Sequence, residues 1–570
     1  MSFEGKGPDL IRVSAKTWIL VGAVNFAYVA NLTAVVASGF LATPLGTLFA
    51  DSQNTVWLAV SLNILTSAFG PPISQIADLW GRKWPLVTVL LSGVVGSVVA
   101  SRAQSLDTVI AGFCLIGVAT SSQPLLHAVV SEVLPRAQRP LAQATLHATS
   151  GLAAFIGICM GGALLRYDQL ENYRIYMYVL VGLFSLAVAG VSLGYNPPRR
   201  ELEKAMSTRE KIQSIDWIGS SLLTPGLVLF SLALGWSRNP YQWSDAHILG
   251  PFVTGIACLI AFGIYEWRFT DKGLLHHGLF RMGRNFPFVL AVVFAEGVSF
   301  FAANQYFAYQ VGMLLSFDLL IAGLHYGVMF LAAVIFSMFG GWYSVRTKSV
   351  KSVACLGMTG MTVFMVCMAA VSRTQTPDAA YWILAVVLGA GIGFILPTAM
   401  VIAQLSTPLE LIAETSALVV SARSMGATVG LAINSAIFTS SISTELPKRV
   451  AAAVLPLGLP PTSLGGLIGA LQSRNSEAIF AVPGVTPEIA GAAGHAILES
   501  FAISFRWVWV SAACFCAVST IMTFFLVNPT EEFTAHIDAP ADETIVAAQA
   551  KAEGMLGESV AKAEHVEIKH

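Results

Sequence analysis

Residues Ser74–Lys83 read S-Q-I-A-D-L-W-G-R-K and stand between two long apolar runs. This short polar stretch holds one acid, Asp78, two bases, Arg82 and Lys83, and a turn-forming glycine, Gly81. An acid and two bases held in a tight turn can form a charge-relay latch between the ends of neighbouring helices. The simpler interpretation is that the two bases only anchor the helix ends at a membrane surface.

The composition of the whole chain indicates that lipid surrounds most of it. Of the 570 residues, 55% are hydrophobic and only 11% are charged, whereas a typical soluble protein has roughly 25% charged residues. So few charges cannot cover the apolar surface in water, which excludes an ordinary soluble fold. The net charge is −1, so no basic field indicates a nucleic-acid partner. The sequence therefore predicts an all-α polytopic membrane protein.

Fourteen apolar runs are long enough to cross the hydrocarbon layer, which takes about 20 residues. The first eight lie at about 18–41, 55–77, 85–101, 107–130, 142–165, 175–195, 215–236 and 246–267. The other six lie at about 285–311, 319–343, 351–371, 379–404, 411–440 and 504–527. We expect each run to form one transmembrane helix.

The runs group as six, two and six, which predicts two six-helix bundles with two extra central spans. The corresponding segments are a cytoplasmic amino-terminal segment 1–17, a bundle 18–195, a linker with two inserted spans 196–284, a bundle 285–527 and a tail 528–570. Within the second bundle, residues 441–503 are predicted to be a long outer loop, partly helical and lying against the membrane face. The acidic tail is predicted to be disordered, except for a short helix near residues 545–556.

The distribution of basic residues predicts the orientation of the chain. With a cytoplasmic amino terminus, the inside segments hold 22 of the 32 Lys and Arg residues, as the positive-inside rule requires. Both termini are therefore expected in the cytoplasm. We expect a multi-pass plasma-membrane protein, with a vacuolar or vesicular membrane as the alternative. The seven cysteines lie inside apolar runs and show no disulfide framework or zinc spacing.

Glu296 is the acid that lies deepest in an apolar run. It stands eleven residues into the ninth run, about 16 Å along a helix and so near the membrane midplane. Phe300 and Asn304 follow on the same helical face, with Gln305 and Tyr306 beside them, a mixture that suits an amphipathic organic substrate. A carboxyl group there could take up and release a proton as the cavity alternates. The alternative is a hydrogen-bonded glutamic acid that only packs the bundle.

Further polar side chains inside the apolar runs are candidates for the same substrate and proton pathway. They are Asn31, the i, i+4 pair Gln123 and His127, His147, His325 and Arg423. Arg423 must face protein or water and could pair with a carboxylate or with an anionic substrate. A lone histidine or asparagine in a membrane helix is more often an interhelical hydrogen-bond partner than a ligand.

The loop from Ser74 to Lys83 resembles the loop signature of the major facilitator superfamily, G-x-L-x-D-x-x-G-R-K. Asp78, Gly81, Arg82 and Lys83 match the signature, and Ser74 stands where its first glycine is expected. The resemblance implies the major facilitator fold, in which two six-helix bundles rock about a central site and this loop controls their motion.

Four other stretches resemble the fungal trichothecene efflux pump and siderophore transporter groups, within the fourteen-span drug:proton antiporter branch. They are S-E-V-L-P-R-A-Q-R-P-L-A-Q at 131–143, I-D-W-I-G at 215–219, A-Y-Q-V-G at 308–312 and F-R-W-V-W at 505–509. The resemblance covers nearly the whole chain apart from the outer loop and the tail. It implies proton-coupled export of small organic molecules.

Three antiporter signatures are incomplete in this chain. Phe113 and Ile116 replace the arginine and glutamine of A-G-R-x-x-Q-G, Ile158 replaces the proline of G-P-x-x-G-G, and Asn31 stands where an acid is expected in the first span. These departures suit an importer or a uniporter about as well as an antiporter. Uptake of an iron-siderophore complex therefore stays open as an alternative.

The function predicted from these features is secondary active transport, with proton-coupled efflux of amphipathic toxins, drugs or secondary metabolites. The predicted partners are the small-molecule substrate, protons and the lipid bilayer, and the protein is expected to be a monomer. A membrane enzyme or receptor is the alternative from another class, but the sequence contains no paired acids, P-loop, nucleophile motif or metal cluster. We therefore expect no enzymatic activity, cofactor or metal site.

Overall fold

The computed structural model describes most of the chain between Ala15 and Ala539. The described residues are 15–51, 54–165, 169–196, 206–236, 241, 243–270, 273–281, 283–315, 319–373, 376–408, 411–472 and 479–539. The predicted helix near 545–556 lies outside these residues.

Fourteen helices in the described part of the chain are long and apolar enough to cross a membrane, in agreement with the predicted number. Spans α1 to α7 are Ala15–Phe40, Asn54–Trp80, Lys83–Ser101, Leu106–Glu132, Arg136–Leu164, Leu170–Gly194 and Trp217–Trp236. Spans α8 to α14 are Ala246–Arg268, Asn285–Leu315, Ile321–Thr347, Val350–Val371, Asp378–Leu405, Ile412–Val454 and Pro487–Phe524. Helices dominate because a backbone in lipid must satisfy its hydrogen bonds internally.

Span α4 is interrupted near its middle. It consists of two helices, Leu106–Thr120 and Gln123–Glu132, and Pro124 lies in the first turn of the second helix. Proline fits there because the first amide groups of a helix have no intrahelical acceptor. Ser122 lies in the interruption, and its hydroxyl accepts a hydrogen bond of 2.9 Å from the Asn31 amide of α1.

Short helices occupy the connections between several spans. They are Ala42–Leu48, Thr208–Ser214, Gly278–Arg281 and Leu464–Gln472, with 3-10 turns at Pro461–Ser463 and Thr530–Glu532. The helix at Thr208 is fixed by a capping box, in which the Ser207 hydroxyl and the Glu210 carboxylate each bond the other's backbone.

The spans assemble around two principal apolar cores. One core is formed mainly by α1 to α6 and the other by α9 to α14. The two halves meet where α5 packs on α10 and where α2 packs on α13. In the inserted pair, α7 packs against α2 and α13, and α8 packs mainly against α7. The inserted pair therefore covers the α2–α13 seam.

We call the side of the bundle that holds Ala15 and the end of α14 the terminal side, and the opposite side the loop side. An even number of spans places both described ends of the chain on one side. In the loop-side segment 441–503, which we expected to be a partly helical loop, α13 continues to Val454 and α14 begins at Pro487, so about half of the segment belongs to these two spans.

The loop-side helices are stable outside the span region because they have a core of their own. Leu446, Val450 and Val454 form an i, i+4, i+8 stripe on α13, and this stripe packs against Ile489 and Ala493 of α14. Apolar side chains four residues apart lie on one helix face. The parts of the segment that belong to α13 and α14 are therefore helical extensions of the second bundle.

The first part of the tail also differs from the predicted disorder. Residues 528–539 form an ordered segment that packs on the terminal side of the bundle, where Phe533 and Ile537 are buried. Two apolar anchors and several ion pairs offset the entropy of ordering this segment. Its composition alone, which is acidic and poor in aromatic residues, did not indicate these anchors.

Candidate functional site: the central cavity

A cavity of about 930 Å³ lies between the two bundles. Its wall from the second bundle is largely aromatic, with Phe300, Phe301, Tyr309, Tyr326, Phe330 and Phe501. Its wall from the first bundle is more polar, with Tyr28, Asn63, Gln123, His127 and His147. The volume is within the range of about 300 to 1,000 Å³ that is typical of sites for small organic ligands. Phe40, Met313 and Ile497 line the cavity toward the loop side.

Glu296 of α9 and Arg423 of α13 form an ion pair at the edge of this cavity. Arg423 donates from Nε to Oε2 of Glu296 at 2.6 Å and from Nη2 to Oε1 at 3.1 Å. The Glu296 side chain is fully buried, whereas 27% of the Arg423 side chain is exposed and lines the cavity. The guanidinium therefore separates the carboxylate from the cavity.

Glycines allow the two helices that carry this pair to approach closely. A side chain at Gly426 of α13 would collide with the backbone of Phe294, and one at Gly430 would collide with the backbone of Val298. On the other helix, a side chain at Gly297 would collide with the Arg423 carbonyl. Small residues at such an interface bring the backbones together. The close approach sets the bidentate geometry of the ion pair.

Arg423 also contacts the aromatic wall. Its Cζ atom lies 4.9 Å from the ring centroid of Phe300, close enough for a cation–π interaction. Asn304, one turn further along α9, accepts a hydrogen bond of 3.1 Å from the Tyr326 hydroxyl of α10. One face of α9 thus presents an aromatic ring and an amide to the cavity, as the sequence spacing predicts.

His127 lies at the centre of a hydrogen-bonded group in the first bundle. Its Nδ1 lies 2.6 Å from the Gln143 Oε1, and its Nε2 lies 3.2 Å from the Tyr28 hydroxyl. The ring of His147 lies 5.3 Å from that of His127, centroid to centroid. The described residues contain no group of three His, Cys, Asp or Glu side chains that could hold a metal ion. Both histidine rings line the cavity.

Most of the side chains that the sequence nominated for the pathway reach the cavity. The nominated residues that line it are Gln123, His127, His147, Phe300, Asn304, Gln305 and Arg423. Glu296 reaches it only through Arg423. The structure thus brings together residues from spans α4, α5, α9 and α13.

Three nominated residues lie away from the cavity lining. Asn31 is buried against Ser122 within the first bundle. Tyr306 is buried, with its ring 5.3 Å from that of Phe438. His325 bonds Asp378 at 2.6 Å, at the loop-side end of the second bundle. Their contacts are those of packing and interhelical hydrogen bonding, because each is held by neighbours within its own half.

The loop between α2 and α3 forms a charge network inside the first bundle. Arg82 is almost completely buried and pairs with Asp78, Nη2 to Oδ1 at 3.1 Å, and also with Glu132 at the end of α4. Gly81 has a φ of +85°, which glycine adopts without strain. Lys83 donates to Asn196 at 2.6 Å, at the end of α6. The latch therefore joins the ends of α2, α4 and α6.

Gln404 of α12 closes the terminal side of the bundle. Its Oε1 accepts a hydrogen bond of 2.6 Å from Ser131 and one of 3.5 Å from Gln143, both from the first bundle. Arg139 of α5 donates to the Gln404 carbonyl at 3.4 Å. We call these four residues the terminal gate. Their hydrogen bonds join the two halves at the closed end of the cavity.

The terminal gate was not predicted, although three of its residues lie in a stretch that the sequence singled out. Ser131, Arg139 and Gln143 belong to residues 131–143, which carry the family resemblance. Their partner Gln404 is a single amide in an apolar run, and nothing in its neighbours indicates that it faces another bundle. An uncharged polar residue in a long apolar run is the signal that could have found it.

The comparison with known families bears on nearly the whole chain. The model of the fungal trichothecene efflux pump family matches residues 50–548. This chain belongs to the fungal trichothecene efflux pump family. As a member of that family it is an efflux transporter of the major facilitator type, and its relatives and its fold are those of transporters.

Individual relatives of this family member are distant but cover most of its length. The trichothecene efflux pump TRI12 of Fusarium sporotrichioides is 24% identical over 82% of this chain and 78% of its own length. The MFS-type efflux transporter ffsH of Aspergillus flavipes is 23% identical over 92% of this chain and 86% of its own.

Solved structures confirm the major facilitator fold of this efflux pump family member. The human organic anion transporter MFSD10 superposes with a TM-score of 0.54 at 10% identity, over 88% of this chain and 99% of its own. The proton:xylose symporter XylE gives a TM-score of 0.54 at 13% identity, over 90% of this chain and 96% of its own.

Proposed function

We propose that this transporter exports amphipathic small organic molecules in exchange for protons, by alternating access to the central cavity. The observation that carries the proposal is the buried Glu296–Arg423 pair at the edge of a cavity with one aromatic and one polar wall. A hydrophobic wall with a few placed polar groups is typical of sites for organic ligands.

The walls suit a substrate with an apolar body and oxygen acceptors. Phe300, Phe301 and Phe330 offer ring surface to the apolar part. Arg423 and Gln123 offer N–H donors to the polar part. Because Arg423 is paired with Glu296, the site carries no net charge from these two groups, which favours neutral substrates over anions.

The ion pair supports a coupling step. A proton added to Glu296 removes the negative charge that holds Arg423, so the guanidinium becomes available to the cavity. A guanidinium that turns into the cavity takes up the space in which the substrate binds beside the intact pair. Protonation of Glu296 therefore weakens substrate binding, and substrate binding weakens protonation, a negative coupling that gives exchange of one for the other.

Membership of an efflux pump family supports export as the direction of transport. The positive-inside rule assigns the terminal side to the cytoplasm. The terminal gate is closed and the cavity extends to the loop side, so in an exporter this conformation corresponds to the step that releases the substrate outside the cell. The latch of Asp78, Arg82 and Glu132 holds helix ends on this side. We propose that it must rearrange when the two bundles rock. We assign the protein to the plasma membrane as a monomer with both termini in the cytoplasm.

Counterflow in proteoliposomes tests this function. The purified protein is reconstituted with an imposed pH gradient, and movement of a fluorescent amphipathic compound is followed for the wild type and for Glu296→Gln. We expect the gradient to drive accumulation in the wild type only, while Glu296→Gln retains gradient-independent counterflow. Glu171→Gln removes one carboxylate of an exposed ion pair with Arg174 and should transport like the wild type.

The proposal fails if movement of the compound is insensitive both to the pH gradient and to Glu296→Gln. Cells that lack the protein separate export from import. Hypersensitivity to a toxic organic compound supports export, whereas a growth defect confined to siderophore-bound iron contradicts it and favours uptake.

A further inference from the structure

The connection between α4 and α5 runs beside the C-terminal segment 532–539. Three backbone hydrogen bonds join them: Arg136 N to His536 O at 3.0 Å, Ala137 N to Thr534 O at 2.9 Å, and Ala539 N to Glu132 O at 3.0 Å. The amides at the start of α5 and the carbonyl at the end of α4 have no acceptor or donor within their own helices, and the peptide backbone supplies one. The connection thus presents a peptide-binding edge, and the chain's own segment occupies it.

Two arginines make this edge selective for an acidic peptide. Arg136 bonds Asp538, Nε to Oδ1, at 3.0 Å and Glu532, Nη1 to Oε2, at 2.7 Å. Arg139, which is fully buried, also pairs with Asp538. The Asp538 side chain is only 7% exposed, so water does not replace its partners. A carboxylate shared by two arginines is a strong, charge-assisted contact, and an uncharged side chain there would leave the buried Arg139 without this carboxylate.

The segment connects the two halves of the molecule. Phe533 packs in the core of the second bundle, whereas Asp538, five residues later, is held by arginines at the start of α5 in the first bundle. Just before the segment, Asn528 accepts a hydrogen bond of 2.8 Å from the backbone of Lys351 in α11. Rocking of one bundle away from the other on the terminal side would therefore strain or release this connection.

The same arginine belongs to the terminal gate. Arg139 donates to the carbonyl of Gln404 at 3.4 Å and to that of Ser131 at 3.1 Å, in addition to its pairing with Asp538. The carboxylate thus compensates and orients the guanidinium that bonds across the gate. Without Asp538, the buried Arg139 guanidinium would lose its carboxylate partner, and moving toward water would lower its free energy.

We propose that residues 132–139 form a binding site for an acidic extended peptide, occupied here by the chain's own residues 532–539, and that this occupancy holds the terminal gate closed. The proposal is independent of which substrate is transported and of whether protons drive transport. A ligand that binds one state of a two-state equilibrium stabilises that state. The C-terminal segment is therefore an internal ligand of the terminal-side-closed state.

Thiol labelling behind the gate measures its closure directly. Met400 lines the closed end of the cavity and is almost fully buried, so Met400→Cys reports access. Membrane vesicles in which a C-terminal tag is accessible are treated with an impermeant maleimide, and the same chain with Met400 intact gives the background. Asp538→Asn should raise the labelling rate at least about tenfold, which corresponds to about 1.4 kcal/mol. Glu531→Gln, at an exposed acid immediately before residues 532–539, should leave the rate unchanged.

A synthetic peptide tests whether the edge is a binding site. Added to the full-length Asp538→Asn protein, a peptide with the sequence of residues 528–540 should restore slow labelling, and the same peptide with asparagine in place of its aspartate at 538 should not. Equal labelling rates in Asp538→Asn and Glu531→Gln would overturn the proposal, as would rescue by both peptides.

A cross-link tests the proposal without removing any charge. Ala137→Cys and Thr534→Cys place thiols on residues whose backbones are hydrogen-bonded. In a chain that also carries Met400→Cys, their disulfide should slow labelling at position 400 below the rate of the Met400→Cys protein without the cross-link. It should also reduce counterflow, and reductant should restore both rates. Unchanged labelling in the cross-linked protein would refute the role of the segment in gating. This arm remains decisive if Asp538→Asn does not fold.

Discussion

Replacing Arg423 with glutamine should destabilise the protein more than replacing Glu296 with glutamine. Arg423→Gln leaves a carboxylate with no exposed surface and no cation, and removing one partner of a buried pair costs about 3 to 5 kcal/mol. Glu296→Gln leaves a guanidinium that is 27% exposed and lies over Phe300. This variant loses one charge-assisted hydrogen bond, about 1.5 to 3 kcal/mol.

The double variant separates these contributions. Glu296→Gln in the Arg423→Gln background removes the orphaned carboxylate, so the double variant should be more stable than Arg423→Gln alone by at least about 1 kcal/mol, within the usual range for residues in contact. Unfolding in mixed micelles with increasing SDS gives the free energies of the four proteins.

Additive effects of the two substitutions would refute this reasoning. So would an Arg423→Gln variant that is no less stable than Glu296→Gln. Either result would mean that the two side chains are not a compensated pair in the folded protein. The exposed pair of Glu171 and Arg174 is the matched control, with an expected coupling of about 0.2 to 1 kcal/mol.

Three other outcomes follow from the packing and the gate. Gly426→Val should abolish counterflow and lower the free energy of unfolding by about 3 kcal/mol or more, because the new side chain would collide with the Phe294 backbone. Gly263→Val, where a side chain meets no neighbouring atom, should change neither quantity. Counterflow and SDS unfolding are measured for both variants. Gln404→Leu should increase maleimide labelling of Met400→Cys from the terminal side severalfold, since it removes the hydrogen bonds from Ser131 and Gln143; an unchanged rate would contradict its place in the gate. His325→Phe should keep the substrate concentration that gives half-maximal counterflow within about twofold of the wild-type value, because His325 lies outside the cavity lining. The substitution should instead lower the free energy of unfolding by about 1 to 3 kcal/mol.

The sequence was sufficient to predict the fold because spans of about 20 apolar residues are a strong local signal. The number of spans and the loop with Asp78 and Arg82 agree with the structure. Arg82 also pairs with Glu132, fifty positions further along the chain. A contact between distant positions leaves no local pattern, so the third member of the latch was not predicted.

The same limit applies to the cavity. Glu296 and Arg423 were each nominated because charges inside apolar runs are costly, but only the close approach of α9 and α13 shows that they are partners. Hydrogen-bonding residues such as His325 and Asn31 look alike in sequence whether they line a cavity or join two helices. Whether such a side chain lines the cavity depends on how its helix is rotated about its own axis in the bundle. The chemical type of one residue does not predict that rotation.

The position of the inserted pair makes the bundle asymmetric toward the bilayer. Of the two seams where the halves meet, the one between α2 and α13 is shielded by α7, and the one between α5 and α10 has no such cover among the described spans. A compound that reached the cavity from the lipid would therefore have to pass between α5 and α10, so a bulky lipid-facing substitution along α10 would obstruct this route more than the same substitution along α8.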